Sequence, residues 1–189
     1  MKQKPVICAI VAVGPENVIG RDRVMPWHCP DDLKHFRNTT MGYPCIFGRK
    51  TFEGMKCKPL DGRLNLICSS KKIETANDVN LRFVDSIESA INAFGCHSKI
   101  FVCGGAQIYK YALDKDLIDV FYLTKIKNAD LQQQVLQNPK LYTYFPVNVD
   151  SFFTPEKWEK QEIIYPSNPK QNINPACEAT FLMFTRRAR

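Results

Sequence analysis

The residues best suited to do chemistry lie at the start of one predicted helix, where an acidic side chain lies among large apolar ones. Asp32 shares a helical face with Leu33 and Phe36, because positions four apart stack and neighbouring positions lie about 100° apart around the axis. A carboxylate on an apolar face is costly unless it meets a cation or several hydrogen-bond donors. Together with Trp27, these side chains could hold a flat ligand that carries such donors. Alternatively, Asp31 and Asp32 are both solvated first-turn acids that interact with the helix dipole.

Three groups of residues could bind anions. Gly104-Gly105 lies between a predicted strand and a predicted helix, where backbone without side chains lets a phosphate approach the free N–H groups of the helix start. Residues 49–51 (Arg-Lys-Thr) begin a second helix, and residues 69–71 (Ser-Ser-Lys) follow another strand. Each group also has an ordinary structural interpretation, as a strand-to-helix turn, a basic helix start or a serine turn.

These residues must be positioned by a chain in which short apolar runs alternate with helical patterns. Strands are predicted at 6–13, 45–47, 64–68, 81–84, 100–103 and 120–126, and helices at 30–41, 49–55, 85–94 and 107–113. Strands that alternate with helices favour right-handed crossovers and a mainly parallel sheet. Two further strands, 157–164 and 179–185, flank a Pro/Asn-rich loop at 166–175 and predict an antiparallel hairpin at the sheet edge. The fold class is therefore α/β, with a central, mostly parallel mixed sheet in one domain over residues 1–189.

Three connections in this scheme have their own signals. Residues 14–28 are predicted to be a long loop, because Gly14-Pro15 and Gly20 interrupt regular structure. Asp85-Ser86-Ile87-Glu88 has capping-box spacing and predicts a helix start. Residues 127–144 include three successive glutamines and are too short for a domain, so we expect a polar surface excursion.

Composition limits the class of protein. The 189 residues suffice for one ordinary domain, and 44% hydrophobic with 24% charged residues is typical of a soluble globular protein. No run approaches the ~18 apolar residues of a membrane span. The 26 basic and 19 acidic residues give a net charge of +7, which suits an anionic ligand or nucleic acid without choosing between them.

The eight cysteines indicate neither disulfides nor a zinc site. Several lie inside apolar runs, where cysteine behaves as a small buried hydrophobe, and no pair has C-x-x-C spacing. We therefore expect a reduced, intracellular protein. The basic residues before the apolar run 6–13 resemble the start of a signal peptide, but the run is short and no clean cleavage site follows, so a buried strand is the better interpretation.

Motifs over nearly the whole chain resemble those of the dihydrofolate reductase family. Met25-Pro26-Trp27, followed by Asp32 on the next helix, is similar to the family's mobile loop and its single carboxylate. Six further motifs occur in the family's order: Ile10-Val11-Ala12-Val13, Val18-Ile19-Gly20, Phe47-Gly48-Arg49-Lys50-Thr51-Phe52, Pro59-Leu60-Asp61-Gly62-Arg63-Leu64-Asn65, Val102-Cys103-Gly104-Gly105-Ala106-Gln107-Ile108-Tyr109 and Leu123-Thr124-Lys125-Ile126. Such a series is far more specific than the glycine pair alone. The resemblance implies reduction of 7,8-dihydrofolate to tetrahydrofolate with NADPH, a step of one-carbon metabolism.

The resemblance also implies roles for individual residues. Asp32, supported by the Thr124 hydroxyl, would accept hydrogen bonds from the adjacent N–H donors of the substrate's pterin ring and promote protonation through water. Arg63 would hold the α-carboxylate of the substrate's glutamate tail, with Lys58 as an outer contact. In the family the Gly104-Gly105 peptide is cis. The expected catalytic residues are Met25, Trp27, Asp32 and Thr124.

The binding residues that the resemblance implies form two sets. Substrate would be bound by Ile10, Asp32, Leu33, Phe36, Met55, Lys58, Leu60, Arg63, Cys103 and Thr124. NADPH would be bound by Ala12, Val18, Ile19, Gly20, Arg21, Asp22, Arg23, Val24, Gly48, Arg49, Lys50, Thr51, Ser69, Ser70, Lys71, Gly104, Gly105, Ala106, Gln107, Ile108 and Tyr109. Arg49 and the serines would surround the extra phosphate on the adenosine of the cofactor. The expected partners are dihydrofolate and antifolate inhibitors, with no metal, membrane or main nucleic-acid partner, for a cytoplasmic monomer.

Several positions depart from the family pattern. Ala106 stands where relatives often have a third glycine, and Cys103 occupies a wall position usually filled by a branched aliphatic residue. The stretch before Thr143 is longer than in compact bacterial relatives, and Tyr142 replaces an acid thought to hold the active-site loop. We therefore expect loop closure to differ in this chain.

Two other functions compete with this interpretation. A related pyrimidine reductase of flavin biosynthesis shares the fold and cofactor, but has no need for Asp32 with Phe36 and Arg63 at these places. A basic nucleic-acid-binding module is disfavoured, because the lysines and arginines are dispersed and no RNP-like or zinc-finger pattern occurs.

Overall fold

The computed structural model describes residues 4–71, 78–165 and 178–188, and these residues form ten strands and six α-helices. The strands are β1 (Val6–Val13), β2 (Val18–Arg21), β3 (Cys45–Gly48), β4 (Asn65–Cys68), β5 (Leu81–Val84), β6 (Lys99–Val102), β7 (Val120–Lys127), β8 (Tyr142–Tyr144), β9 (Trp158–Glu162) and β10 (Glu178–Arg186). The helices are α1 (Pro30–Thr40), α2 (Arg49–Gly54), α3 (Ile87–Phe94), α4 (Ala106–Asp114), α5 (Ala129–Gln137) and α6 (Val149–Phe152). The regular elements predicted from the sequence are all present, with bounds that differ by one or two residues.

Eight of the strands form one mixed sheet in the order β5-β4-β3-β6-β1-β7-β10-β9. The six strands from β5 to β7 are parallel, and β10 lies antiparallel between β7 and β9. The prediction of a mostly parallel sheet with an antiparallel edge hairpin is therefore confirmed. The predicted loop at 166–175 lies outside the described residues.

Strand β1 is buried on both faces, as its continuous apolar run predicts. Ile7 and Ala9 pack into one hydrophobic cluster with α3 and α4, while Cys8 and Ile10 point to the other face of the sheet. Cys45 and Cys103 join this second cluster, so the cysteines in apolar runs behave as buried hydrophobes. The seven cysteines among the described residues are free.

The three predicted connections differ from the sequence interpretation. Two of them contain regular structure, and the third begins its helix one residue later. Strand β2 lies inside the predicted loop 14–28 and pairs antiparallel with β8, a partner more than 120 residues away that local pattern cannot reveal. The stretch 127–144 is not only a surface excursion, because its helix α5 buries Leu131 and Val135. The capping box starts one residue later than predicted, with Ser86 as N-cap and Ser89 as its partner.

The parallel strands end together at one edge of the sheet, and that edge carries the candidate site. The order β3-β6-β1-β7 places the ends of four strands side by side there, although β6 follows β1 and β3 in sequence. Ligands of open α/β sheets bind at such a carboxyl edge, where the strand order changes direction.

Candidate active site

Asp32 lies in the first turn of α1 and is buried, whereas Asp31 beside it is exposed. The helix begins with Pro30, which lacks the N–H that a first-turn residue would leave unpaired. The alternative that both acids are solvated is therefore wrong for Asp32, which is only 6% exposed. This buried carboxylate faces an environment that must supply its hydrogen bonds.

Thr124 on β7 supplies one of those hydrogen bonds. Its hydroxyl donates to the Asp32 carboxylate, and Thr124 is itself buried between Ala12 of β1 and Phe181 of β10. Burial raises the pKa of Asp32, and the Thr124 hydrogen bond lowers it by less, so the pKa lies above its ordinary value. A carboxyl group with a raised pKa can hold or release a proton closer to neutral pH.

The apolar residues around Asp32 differ in exposure. Trp27 is 9% exposed, whereas Met25 and Leu33 are 43% and 44% exposed, and Phe36 is half-buried. Leu33 and Phe36 lie on the same helix as Asp32 and stay partly accessible, which is typical of the wall of a ligand pocket. The Trp27 indole Nε1 is buried and makes no hydrogen bond within the described residues.

Arg63 is held by the turn that precedes β4. Its Nε donates to the Asp61 carbonyl (3.0 Å) and its Nη1 donates to the Thr40 hydroxyl (3.2 Å). The fully buried Asn65 orders this turn: its Oδ1 accepts from the Leu60 amide (2.8 Å) and its Nδ2 donates to the Arg63 carbonyl (2.8 Å). Arg63 is 5% exposed, and this burial lowers its pKa, although a guanidinium stays charged.

Glycines bring the two neighbouring strand-to-helix junctions, β3 to α2 and β6 to α4, into direct contact. The Gly48 amide donates to the Gly104 carbonyl (2.7 Å), and a Cβ on Gly105 would lie 2.8 Å from Thr51 Oγ1. Gly104 has φ +112°, a conformation that side chains disfavour, and the Gly104-Gly105 peptide is cis, as the family resemblance implies. Both helix starts therefore present backbone N–H groups close together.

Basic residues lie beside this junction, and two of them are already paired with one carboxylate. Glu53 accepts hydrogen bonds from Arg49, on its own helix, and from Arg23 (2.8 Å) on the loop before α1. Ser69 forms a turn in which its hydroxyl accepts from the Lys71 amide (3.0 Å). The sequence interpretation missed Glu53, because a carboxylate among basic residues has no signal of its own until the loop is placed beside it.

The loop before α1 has a defined hairpin geometry. Arg21 and Val24 exchange backbone hydrogen bonds of 2.8 and 3.0 Å around Asp22 and Arg23, both of which have positive φ. These are the features of a tight two-residue turn that matches the twist of its strands. A Cβ on Gly54 would lie 2.1 Å from the Arg23 carbonyl, so the tip of the hairpin packs directly on the end of α2.

Gly48, Ser69 and Gly104 end or follow parallel strands and so lie at this edge, whereas Arg63 precedes β4 and lies toward its other end. Not every expected side chain is open to a ligand. Val18 is fully buried in a hydrophobic cluster with Trp27, so its side chain is not available to a ligand. Tyr109 is buried and uses its hydroxyl to donate to the Ile10 carbonyl (2.6 Å). The exposed members of the predicted cofactor and substrate sets are Asp22, Arg23, Val24, Leu33, Lys50, Lys58, Ser70, Lys71 and Gln107, and the predicted catalytic residue Met25 is exposed as well.

Two residues near the site were missed by the sequence interpretation. Thr40 fixes Arg63 and also donates to the Phe36 carbonyl (2.8 Å). His35 is 3% exposed, and its Nδ1 lies 2.6 Å from the Tyr165 hydroxyl. Both lie on the buried face of α1 with Asp32, and their helical spacing from Asp32 could have predicted that they are buried beside it.

Among the described residues, no three His, Cys, Asp or Glu side chains are grouped so that they could hold a metal ion. None of the described helices combines the length and apolar character that crossing a membrane requires.

Comparison with known proteins gives one consistent result. A family model described as dihydrofolate reductase matches residues 6–185. The dihydrofolate reductase of Haemophilus influenzae is 35% identical over 178 residues, which cover 94% of this chain and 97% of that protein. The Staphylococcus aureus enzyme of the same name is 29% identical over 94% of this chain and 96% of its own. A solved structure of dihydrofolate reductase from Enterococcus faecalis, complexed with NADP(H) and RAB-propyl, aligns with a TM-score of 0.71 at 24% identity over 97% of each chain.

Proposed function

This chain belongs to the dihydrofolate reductase family, and from that membership we infer that it reduces 7,8-dihydrofolate to 5,6,7,8-tetrahydrofolate with NADPH. The observation that carries this conclusion is the buried pair of Asp32 and Thr124 beside partly exposed apolar walls. A carboxylate is the acceptor that fits the adjacent N–H donors of a pterin ring, and a lone buried carboxylate otherwise has little reason to be there.

Asp32 orients the ring and supports the protonation that accompanies reduction. The reaction adds a hydride to C6 of the pterin and a proton to N5. NADPH, when bound, supplies the hydride. Asp32 is the acidic group of this pocket, and its raised pKa favours proton delivery, which we propose passes through water. Trp27 and Met25 exclude solvent from the reacting atoms.

Arg63 binds the α-carboxylate of the substrate's glutamate tail. Its contacts to Asp61 and Thr40 use Nε and Nη1, and this leaves donors on Nη2 for a carboxylate. Because the guanidinium is planar and fixed on one side, it is already oriented before substrate arrives. Lys58 is exposed, and we propose it as an outer contact to the same tail.

The residues at the two strand-to-helix junctions fit a dinucleotide diphosphate. Gly48, Gly104 and Gly105 leave no room for a side chain between the junctions, and the start of α4 offers backbone N–H groups there. Arg49, Lys50 and the serines at 69–70 would hold the 2′-phosphate that distinguishes NADPH from NADH. A monomeric state, a cytoplasmic location and the absence of a nucleic-acid partner stay predictions.

The direct test is NADPH oxidation at 340 nm with and without dihydrofolate. We expect oxidation only with dihydrofolate, and a large loss of turnover in Asp32→Asn, which keeps the shape of the side chain but not its charge. A chain that oxidises NADPH with the pyrimidine substrate of flavin biosynthesis, and not with dihydrofolate, would contradict the proposal and favour the related reductase.

A further inference from the structure

Helix α5 has one apolar face, and that face is buried. Leu131 and Val135 lie one turn apart and are 4% and 1% exposed, whereas the neighbouring Leu136 is 64% exposed. The helix start is fixed by Asn128, whose side chain accepts from the Leu131 amide (2.8 Å). The position of Leu131 is therefore set by a capped helix rather than by a free loop.

The buried face of α5 packs on the segment that carries Trp27. Leu131 and Val135 share a hydrophobic cluster with Val18 and Trp27. The packing is closest at Gly14, where a Cβ would lie 2.8 Å from Trp27 Cζ3 and 3.4 Å from Leu131 Cδ2. Trp27 and Leu131 thus both pack over the Cα of Gly14, where even a methyl group would not fit, inside one buried cluster.

The strand that follows α5 is tied to the same segment. Strand β8 pairs with β2, and the guanidinium of Arg21 lies 5.5 Å from the centre of the Tyr142 ring. The Asn17 carbonyl accepts from the Phe145 amide (2.8 Å), and Asn17 Oδ1 accepts from the Val149 amide (3.2 Å). Residues 14–21 are therefore held at several points by residues 131–149.

Trp27 depends on this packing for its position. Its Nε1 makes no hydrogen bond within the described residues, so contacts with the ring, rather than a polar anchor, fix the indole. Loss of a buried side chain behind it would leave a cavity into which the ring could tilt. We propose that α5 is a positioning element for the reaction, and that Leu131 is the residue through which it holds Trp27 in the pocket wall.

This proposal rests on the proposed function, since it assigns Leu131 a part in dihydrofolate reduction. Leu131 packs in the same buried cluster as Trp27 and is not itself one of the proposed site residues. Its effect therefore reaches the reacting atoms through the indole. The chain's longer connection between β7 and β8 therefore does more than cover surface. It sets how well Trp27 excludes solvent during hydride transfer.

The test compares Leu131→Ala with Leu136→Ala, a matched change on the exposed side of the same helix. Leu131→Ala should slow single-turnover hydride transfer about tenfold or more, with a smaller change in the KM for dihydrofolate, because misplacement of a pocket wall affects the reaction more than ligand capture. Acrylamide quenching of tryptophan fluorescence should increase, because a displaced Trp27 becomes more accessible to the quencher. The other tryptophan, Trp158, is 2% exposed and contributes a constant background. Leu136→Ala should change neither quantity, and Leu131→Met, which keeps the volume, should restore most of both.

A purely structural role for α5 gives a different result. Leu131→Ala would then lower the melting temperature while its hydride-transfer rate and quenching, measured well below that temperature, match those of the parent; this outcome overturns the proposal. If Leu131→Ala does not fold, Val135→Ala makes a smaller cavity in the same cluster and is measured by the same two readouts. An inactive parent would contradict the proposed function instead, and quenching, which needs no substrate, would still test the contact between α5 and Trp27.

Discussion

At the scale of single residues, the proposed chemistry depends on two charged side chains that the fold keeps out of water. Asp32 and Arg63 are 6% and 5% exposed, and neither forms an ion pair within the described residues. A buried charge without an ionic partner lowers stability. Such positions are typical of sites that bind complementary ligand groups, here the N–H donors of the ring for Asp32 and the carboxylate of the tail for Arg63.

Arg63 should distinguish a substrate with a tail from one without. Arg63→Lys keeps the charge but loses the planar fork, so the KM for dihydrofolate should rise about tenfold, the loss expected for one charge-assisted contact. Steady-state kinetics with a dihydropterin that lacks the glutamate tail should show no such change. The matched control is Arg82→Lys, which alters an exposed arginine on β5. An equal loss with both substrates would contradict the role of Arg63 in tail binding.

Arg49 should determine the preference for NADPH over NADH. Arg49→Ala removes a charge proposed to contact the 2′-phosphate, so the KM for NADPH should rise about ten- to a hundredfold while that for NADH stays nearly constant. Because Glu53 already pairs with Arg49 and Arg23, the phosphate competes with this carboxylate, and the effect should lie nearer the lower figure. Lys140→Ala, which removes an exposed charge elsewhere, controls for net charge. Equal weakening of both cofactors would show that Arg49 does not contact the 2′-phosphate.

At the scale of elements, the cofactor cradle depends on the contact between two strand-to-helix junctions. Gly105→Ala would place a Cβ 2.8 Å from Thr51 Oγ1, closer than such atoms approach, so the Thr51 side chain must rotate or α2 and α4 must separate. We expect a loss of about 1–3 kcal/mol in unfolding free energy and weaker NADPH binding. Urea denaturation and cofactor titration measure the two effects.

The double variant Gly105→Ala with Thr51→Ala identifies the cause of that loss. Thr51→Ala removes the oxygen that the new methyl group meets, so the two changes together should cost less stability than the sum of each alone. Strictly additive losses of unfolding free energy would mean that contact with Thr51 Oγ1 is not the reason why Gly105→Ala destabilises the protein.

The same elements show what the sequence can and cannot predict. Continuous apolar runs such as β1 and the strand-helix alternation predict the parallel sheet correctly, because burial on both faces leaves a local pattern. Strand β2 was missed, since Gly20 reads as a breaker and its partner β8 is distant in sequence. Helix α5 had a signal, Leu131 and Val135 four residues apart after Asn128, but three successive glutamines obscured it.

The candidate site was predictable to a different degree. Residue pattern placed Asp32 on one helical face with Leu33 and Phe36, but left open that Asp31 and Asp32 are both solvated. The apolar side chains around Asp32 and the family resemblance favoured a binding role for it, and the fold separates the two acids by burial. Residues that act through tertiary contacts, such as Glu53 between two arginines, carry no motif of their own, and the helical spacing of Thr40 predicts its burial but not its contact with Arg63. Such contacts form only once distant segments meet.

At the scale of the whole molecule, stability should depend on pH through His35. Burial lowers the pKa of His35 to about 4 from 6.5, so the folded state prefers the neutral ring while the unfolded chain takes up a proton at higher pH. Stability is therefore lost as the pH falls below about 6.5, by about 2 kcal/mol between pH 7 and pH 5. Asp32 acts in the opposite direction, because its raised pKa stabilises the fold as pH falls.

His35→Phe isolates the histidine contribution. Phenylalanine keeps the ring among Tyr122, Tyr165 and Phe181 but cannot take up a proton, so the variant should lose about 2 kcal/mol less than the parent between pH 7 and pH 5. Urea unfolding of both proteins at the two pH values measures the difference. His28→Gln, at an exposed position, should behave as the parent does. Parallel pH dependences of His35→Phe and parent would contradict the assignment.

The central claim is that Asp32 governs protonation during dihydrofolate reduction, and its most direct test is a stopped-flow pH series with deuterated NADPH on the parent and Asp32→Asn. Deuterium isolates the hydride step. In the parent, hydride transfer should fall as pH rises, because the Asp32 carboxyl, whose pKa is raised by burial, then loses its proton. Asp32→Asn should be slower at pH 7 by at least the ~10²-fold typical of lost acid–base help, and should approach the parent at the lowest tolerated pH, where solvent protonates dihydrofolate directly. A variant that matches the parent at pH 7, or that shows no recovery in acid, would contradict the claim.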